Sequence, residues 1–321
     1  MQIRKKVALV GGGYDIINLY HSISQINADV EIFLAPRHAN EMSGGQSFKS
    51  LLETKNINFT IVHSENAFAR ELDKNRFDIV FGLGPAWIFK DSTLSKVQKW
   101  FNINIIPFPK YMGGAHSTWQ ILHNNYDGAV VIQEITKEID GGRIIARSNF
   151  IYAENENTPQ LRMARNSREI STIFLTIQDL VGDKHLDPVS LNNVGESEYW
   201  PRLNTHMHGW INWAWTAQEI SRFVYAFSLP YAGAHTRLGD TIVYFEEASI
   251  ESYGSYHPFS SGIIVRKIST SVFLVAAKDA LLRVRCFSPI EEGFIEGLRF
   301  YTDMADLEIA MKKHLGSKDL P

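Results

Sequence analysis

The sequence predicts an α/β protein: an open, mostly parallel sheet with helices on both faces, followed by a small C-terminal β-barrel. Three observations carry this. In the first half, short apolar runs alternate with helical patterns, as a parallel sheet buried on both faces requires. The second half holds short alternating strands of the all-β kind. Between them lies a polar, irregular stretch.

Taken in order, "KKVALVGGG" reads as a buried strand ending in glycines, a common opening for an open α/β sheet. "DVEIFLAPR" is a second strand, "QSFKSLLETKNI" a helix, "NFTIVHSE" a strand and "AFARELDKNR" a helix. "FDIVFGLGP" (strand), "STLSKVQKW" (helix) and "FNINIIP" (strand) complete the alternation. "GAVVIQEI" and "RIIARSNFIY" suggest an antiparallel pair, and "SREISTIFLTIQDLVG" an amphipathic helix stopped by Gly182. The polar segment from Asp183 to Gly209 marks a domain link, which sets expected boundaries of 1–186, a linker at 187–208, and 209–321. Beyond it, "TAQEISRFVYAFSLP" is a helix with Thr216 and Glu219 spaced for a capping box and Pro230 past its end. The strands "TIVYFEEASI", "GIIVRKIST", "SVFLVAAKD" and "ALLRVRCFS" follow.

Composition narrows the function classes. The formal net charge of −3 argues against a chain whose main task is gripping phosphate backbones, so nucleic acid is not the expected partner. The single cysteine, Cys286, excludes an internal disulfide and cysteine-based metal clusters, and its strand context reads as a buried, inert thiol. No apolar run approaches the roughly 18 residues of a membrane span, and no small-residue cleavage site follows the basic start. The expectation is a cytoplasmic protein without a membrane partner; a homodimer is the assembly carried as an expectation.

Several motifs could carry chemistry. "VGGGYD" at 10–15 lacks the third glycine of a dinucleotide fingerprint, because Ile16 stands there, and reads as a tight turn. "FGLGPAWIF" is a strand end followed by a glycine-rich aromatic loop. Either it walls a flat ring ligand or it is a tight strand-to-helix turn. In "FNINIIPFP", Asn102 and Asn104 sit at alternate positions and point the same way. A buried amide left unpaired costs about 1–3 kcal/mol, so the two pair structurally or face a ligand, and the following prolines favour the second. Asp140, in "KEIDGGRI", is a turn aspartate or a carboxylate beside those amides. Two amides and a carboxylate suit acyl transfer to an amine: the amides hold a developing oxyanion and the carboxylate takes a proton. His116 and His123 sit on a helix where surface or capping roles are the default. His206 and His208 lack a third ligand nearby, and no metal is expected.

"NINIIPFPKYMGGAHSTW" followed by "EIDGG" resembles the signature of the folate-dependent formyltransferase superfamily, which contains methionyl-tRNA formyltransferase, glycinamide ribonucleotide transformylase and nucleotide-sugar N-formyltransferases. Asn102 matches the family asparagine, Trp119 the helix tryptophan and Asp140 the family aspartate. Arg202, Gly209, Ile211, Trp213 and the Pro230–Ala234 turn resemble the entry to the family's C-terminal domain. Two positions depart: Asn104 stands where the family has its catalytic histidine, and Met112 where an arginine is usual.

The resemblance implies a Rossmann-like catalytic domain with an OB-like C-terminal barrel. It also implies formyl transfer from 10-formyltetrahydrofolate to the primary amine of a nucleotide-linked amino sugar. Asn102 and Asn104 would hold the formyl oxygen, Asp140 would accept a proton, and His116 is a candidate for the missing imidazole. Gly82, Leu83, Gly84, Pro85, Trp87 and Ile88 would line the folate. The competing readings are a relative that binds folate or nucleotide sugar without transfer, and a methionyl-tRNA formyltransferase.

Overall fold

The computed structural model describes residues 4–26, 28–43, 45–138, 140–190, 196–290 and 295–312. Part of the expected linker (191–195) and part of the expected C-terminal domain (291–294 and 313–321) lie outside them. The chain divides into two compact units, each discontinuous in sequence. The first is Met1–Pro109, Gly128–Phe150 and Asn166–Glu196; the second is Lys110–Asp127, Ile151–Arg165 and Ser197–Pro321.

The first unit is built on β1 (Lys5–Gly11), β2 (Ala28–Leu34), β3 (Phe59–Ile61), β4 (Ile79–Leu83), β5 (Lys99–Asn104), β6 (Asp127–Glu134) and β7 (Ile144–Ile151). Their order across the sheet is β7-β6-β5-β4-β1-β2-β3. The five strands from β5 to β3 pair in parallel, and β6 runs antiparallel to β5. β1 and β4 are buried along nearly their whole length, which explains why they read as continuous apolar runs rather than alternating ones.

On one side an aromatic cluster of Phe33, Phe68, Phe77, Phe89 and Trp100 fills the space below the helices, with Phe33 and Phe68 edge-to-face at 5.0 Å. Such a pair contributes about 0.5–1.5 kcal/mol beyond its area. The helix Asp15–Ser24 packs against β2 and against the helix Phe174–Val181.

Two elements differ from expectation. "STLSKVQKW" yields only one helical turn, Asp91–Leu94, and the chain is already a strand at Lys99. The Trp100 indole donates to the carbonyls of Leu94 and Val97, both at 2.9 Å, and so fixes a tight return instead of a longer helix. The amphipathic pattern over 167–182 is broken by a 3-10 turn at Ile170–Ile173 between the helices Pro159–Glu169 and Phe174–Val181. The crowded β-branched residues Ile170, Thr172 and Ile173 favour that tighter turn over continued α-helix.

The second unit contains β8 (Ala234–Leu238), β9 (Thr241–Tyr253), β10 (Ile264–Lys267), β11 (Val272–Ala276), β12 (Ala280–Cys286) and β13 (Phe300–Tyr301). They form an antiparallel sheet in the order β10-β11-β12-β9-β8-β13. The expected closed barrel is instead a curled, open sheet. Two register shifts in β9 bend it, at Phe245/Glu247 and Ile250/Ser252. Closure fails because β13 has only two residues. The end strands touch through one bridge, Ile263 to Arg299, with Ile264 N donating to Leu298 O and Phe300 N to Gly262 O at 2.8 Å each.

The helix Ala217–Ala226 packs on β9 through Ile220, Phe223 and Val224. Its capping box is present: Thr216 Oγ1 accepts from Glu219 N at 3.2 Å, and the Glu219 carboxylate accepts from Thr216 N at 2.7 Å. Cys286 is buried in this core, and burial pushes its thiol up to about 12, so it is inert at neutral pH.

Candidate functional site

Three adjacent strands set the centre of the site. In the pairing register Gly82 of β4 lies opposite Asn102 of β5, and Asn102 opposite Gln133 of β6. Side chains in register on neighbouring strands share a face, so this row collects polar groups in an otherwise apolar sheet. Asn102 Nδ2 donates to Asn104 Oδ1 at 2.9 Å, and Asn104 Nδ2 reaches Gln133 Oε1 at 3.3 Å. Gln133 is 1% exposed, and its Nε2 donates to the carbonyls of Asp140 at 2.8 Å and Gly142 at 2.9 Å. A side chain inside the sheet thus holds the turn that carries Asp140.

That turn is demanding. Asp140 has φ +55°, which a short polar side chain tolerates better than most. A Cβ on Gly142 would fall 1.8 Å from the carbonyl oxygen of Glu134, so only glycine fits there. The Asp140 carboxyl is pushed above its ordinary value by burial, with a hydrogen bond from the Asn104 side chain pulling the other way. Asn104 and Asp140 therefore meet directly, and the two amides also pair with each other. One atom is left over: Asn102 Oδ1 is buried with no hydrogen-bond partner.

Gly82 makes room for that atom. A Cβ at Gly82 would lie 3.0 Å from Asn102 Oδ1, 3.4 Å from Pro85 Cγ and 3.5 Å from Ile135 Cδ1. Leu83 is buried, Gly84 takes φ +61°, Pro85 and Trp87 are half-buried, and Ile88 is exposed. Trp87 stacks against Phe68 with centroids 6.3 Å apart, so the loop is anchored to the aromatic core. It offers an apolar, partly open wall beside the asparagine row, suited to a flat heterocycle.

His116 belongs to the second unit, as the first residue of the helix His116–Leu122. Burial and the Arg162 charge lower its imidazole to about 4, so it is neutral at physiological pH. On the same helix the Trp119 indole donates to Pro201 O at 2.8 Å and packs at a tilt against Trp200, with centroids 4.9 Å apart. Met112, at the family's arginine position, donates its backbone N–H to Glu198 O at 2.9 Å. His208 holds the Asn204 backbone, and among the described residues no group of three His, Cys, Asp or Glu side chains is placed to hold a metal. Nor, among them, is any helix long and apolar enough to cross a membrane.

Gln133 was not singled out in the sequence. Its signal was available: one glutamine interrupting the buried run "AVVIQEI".

Residues 205–296 match the family model "Formyl transferase, C-terminal domain". The methionyl-tRNA formyltransferase of Streptococcus equi subsp. equi (strain 4047) is 26% identical over 184 residues, 56% of this chain and 55% of that protein; the chain thus matches about half the length of its curated relatives. Among solved structures, WlaRD, a sugar 3N-formyl transferase crystallised with dTDP and 5-N-formyl-THF, aligns over 89% of this chain and 99% of its own at 20% identity, with a TM-score of 0.64. An N-formyltransferase from Helicobacter canadensis, in complex with folinic acid and dTDP-3-aminofucose, aligns over 88% and 100% at 19% identity, also with a TM-score of 0.64. The chain thus carries a formyl transferase C-terminal domain over residues 205–296 and shares, across nearly its whole length, the fold of solved sugar N-formyltransferases.

Proposed function

We propose that this protein is an N-formyltransferase that moves a formyl group from 10-formyltetrahydrofolate to the primary amine of a nucleotide-linked amino sugar. The observation that carries the reading is the hydrogen bond between the Asn104 amide and the Asp140 carboxyl, beside the unpartnered Asn102 Oδ1. WlaRD and the Helicobacter canadensis enzyme, crystallised with folates and dTDP or a dTDP-sugar, support the donor and acceptor classes.

The residues fit the chemistry. The donor supplies a formyl carbon open to attack by an amine. The side-chain N–H that Asn102 keeps free hydrogen-bonds the formyl oxygen as it gains negative charge, and Asn104 Oδ1 orients that amide. Asn102 Oδ1 accepts from the incoming amine and so gains its missing partner. The Asp140 carboxylate takes the proton that the amine loses as the new C–N bond forms. That proton ends on the departing folate nitrogen, which balances the exchange. Pro85, Trp87 and Ile88 wall the folate ring. His116, which belongs to the second unit and is neutral above a pH of about 4, takes no part in this reading. An amide at position 104 cannot supply a proton, so Asp140 carries the proton traffic alone.

A second reading, binding without transfer, is favoured by the same asparagine at the histidine position. Tetrahydrofolate release over a panel of nucleotide-linked 3-amino and 4-amino sugars, with Asn104→His beside the parent, separates the two. Turnover by the parent is expected. Silence from the parent with activity in Asn104→His establishes the second reading, and silence from both overturns the acceptor class. Formylation of methionyl-tRNA in a parallel reaction would replace the sugar with the tRNA acceptor.

A further inference from the structure

Within the second unit lies a cavity of about 170 Å³ that the formyl-transfer reading does not use. Its walls come from the end of the helix His116–Leu122 and the loop after it (Ile121, Asn124, Tyr126), from Glu154 and Asn157, from Arg162 of the helix Pro159–Glu169, and from Gln218, Ser221, Arg222 and Tyr225 of the helix Ala217–Ala226. We propose that this cavity binds a small oxyanion, a phosphoryl or carboxylate group, between the guanidinium groups of Arg162 and Arg222.

Arg162 is 1% exposed, which is unusual for an arginine unless its charge is matched. Its Nε donates to Glu156 O at 3.1 Å and its Nη2 to Asn125 O at 2.9 Å, while Tyr152 covers one face with the guanidinium carbon 4.4 Å from the ring centroid. These contacts fix the plane of the group and leave Nη1 buried with no acceptor. Arg222 lines the same cavity and repeats the feature, because its Nε is also buried without an acceptor. Among the described residues neither guanidinium forms an ion pair. Two carboxylates are near. Glu154 is exposed at the rim, and Glu156, whose charge acts on Arg162, already accepts from Ala153 N at 2.8 Å.

Two arginines that line one cavity, each with a buried N–H lacking an acceptor, are suited to an oxyanion, since charge-assisted bonds from arginine match planar and tetrahedral oxygens. The other walls suit a small polar body attached to it. Asn157 and Gln218 bring amides that donate and accept, and Ser221, whose hydroxyl donates to Ala248 O at 2.6 Å, retains acceptor capacity. The volume admits a small phosphate ester or carboxylate. The site is independent of the asparagine row, so it stands or falls apart from the proposed activity.

The test uses the full-length protein labelled with ¹⁵N-arginine. Inorganic phosphate and, separately, acetate are titrated at constant ionic strength while the side-chain Nε–H signals are followed. The expected result is saturable shifts of the Arg162 and Arg222 signals with one of the two anions, weakened at least tenfold in Arg222→Gln and unchanged in Asn104→Ala. Response to phosphate identifies a phosphoryl ligand, and response to acetate a carboxylate. Arg162→Met is a second variant; should it unfold, Arg222→Gln, at the less buried of the two arginines, still decides. Shifts absent with both anions, or equal in the parent and Arg222→Gln, overturn the site.

Discussion

Asn102 donates its side-chain N–H to Oδ1 of Asn104 at 2.9 Å, so one asparagine of the pair orients the other. Asn102 Nδ2 keeps a further N–H for a ligand oxygen, whereas the two N–H groups of Asn104 are engaged by Gln133 and Asp140. The pair should therefore act as a unit. Asn102→Ala is expected to lower kcat/KM by a factor of about 100 or more, and Asn104→Ala by roughly 10–100, with the double variant no worse than the poorer single. Steady-state tetrahydrofolate release measures all three; strictly multiplicative losses would show that the two amides act separately.

Asp140 gives the acidic limb of the rate profile. A base works deprotonated, and burial has raised this carboxyl, so activity should fall as pH drops through a value above the ordinary aspartate range. The Asn104 bond stabilises the charged form. Its removal in Asn104→Ala should move the limb to still higher pH, whereas loss of Asp140 in Asp140→Asn should abolish the limb along with most of the rate. kcat/KM from pH 4 to 8 reads the shift, and an unmoved limb in Asn104→Ala would sink the assignment.

Gly82→Ala introduces a methyl 3.0 Å from Asn102 Oδ1. Asn102 must yield by a few tenths of an ångström, and a reacting group displaced even slightly loses rate steeply. The variant should fold with a thermal midpoint close to the parent and lose about tenfold in kcat. A parent-like kcat would mean that the Asn102 side chain is not held in its reactive position by the row.

Gln133→Leu keeps the volume and removes the bonds to the Asp140 and Gly142 carbonyls. Buried acceptors left without donors should destabilise the protein by about 1–3 kcal/mol, read as a lower urea midpoint at unchanged slope. Activity should fall with it, because the Asp140 turn loses its anchor.

Asp183 joins two ends of the first unit, with Lys5 Nζ and Lys99 Nζ each 2.6 Å from its carboxylate, and those bonds lower it to about 2. A depressed carboxyl stabilises the fold above its unfolded value near 4 and loses that contribution as pH falls toward 2. The group is half-exposed, so solvent screening limits the contribution to under about 1 kcal/mol. Asp183→Asn should lower stability by that amount at pH 7 and by much less near pH 2, in chemical denaturation at both pH values.

Much of this was legible in the chain. Buried parallel strands must be apolar throughout, so β1, β2 and β4 announce themselves, and any polar residue inside such a run stands out. Asn102 and Asn104 were visible for that reason, as was the Thr216–Glu219 capping box, whose chemistry is local. The short return at Asp91–Leu94 was not legible, because it depends on one indole reaching two carbonyls. The open edge of the C-terminal sheet escaped as well, since strand alternation fixes which face is buried but not how long the last strand will be.

By itself, then, the sequence determined the local grammar: strand and helix order, the caps, the Asp-Gly-Gly turn and the two amides on one face of β5. Only the tertiary structure decided that Gly82, Asn102 and Gln133 form one row, that Asn104 meets Asp140, and that Arg162 and Arg222 face one cavity. Those meetings depend on inter-strand register and on packing between segments far apart in the chain, and hydrogen bonds across such distances have no periodicity to betray them.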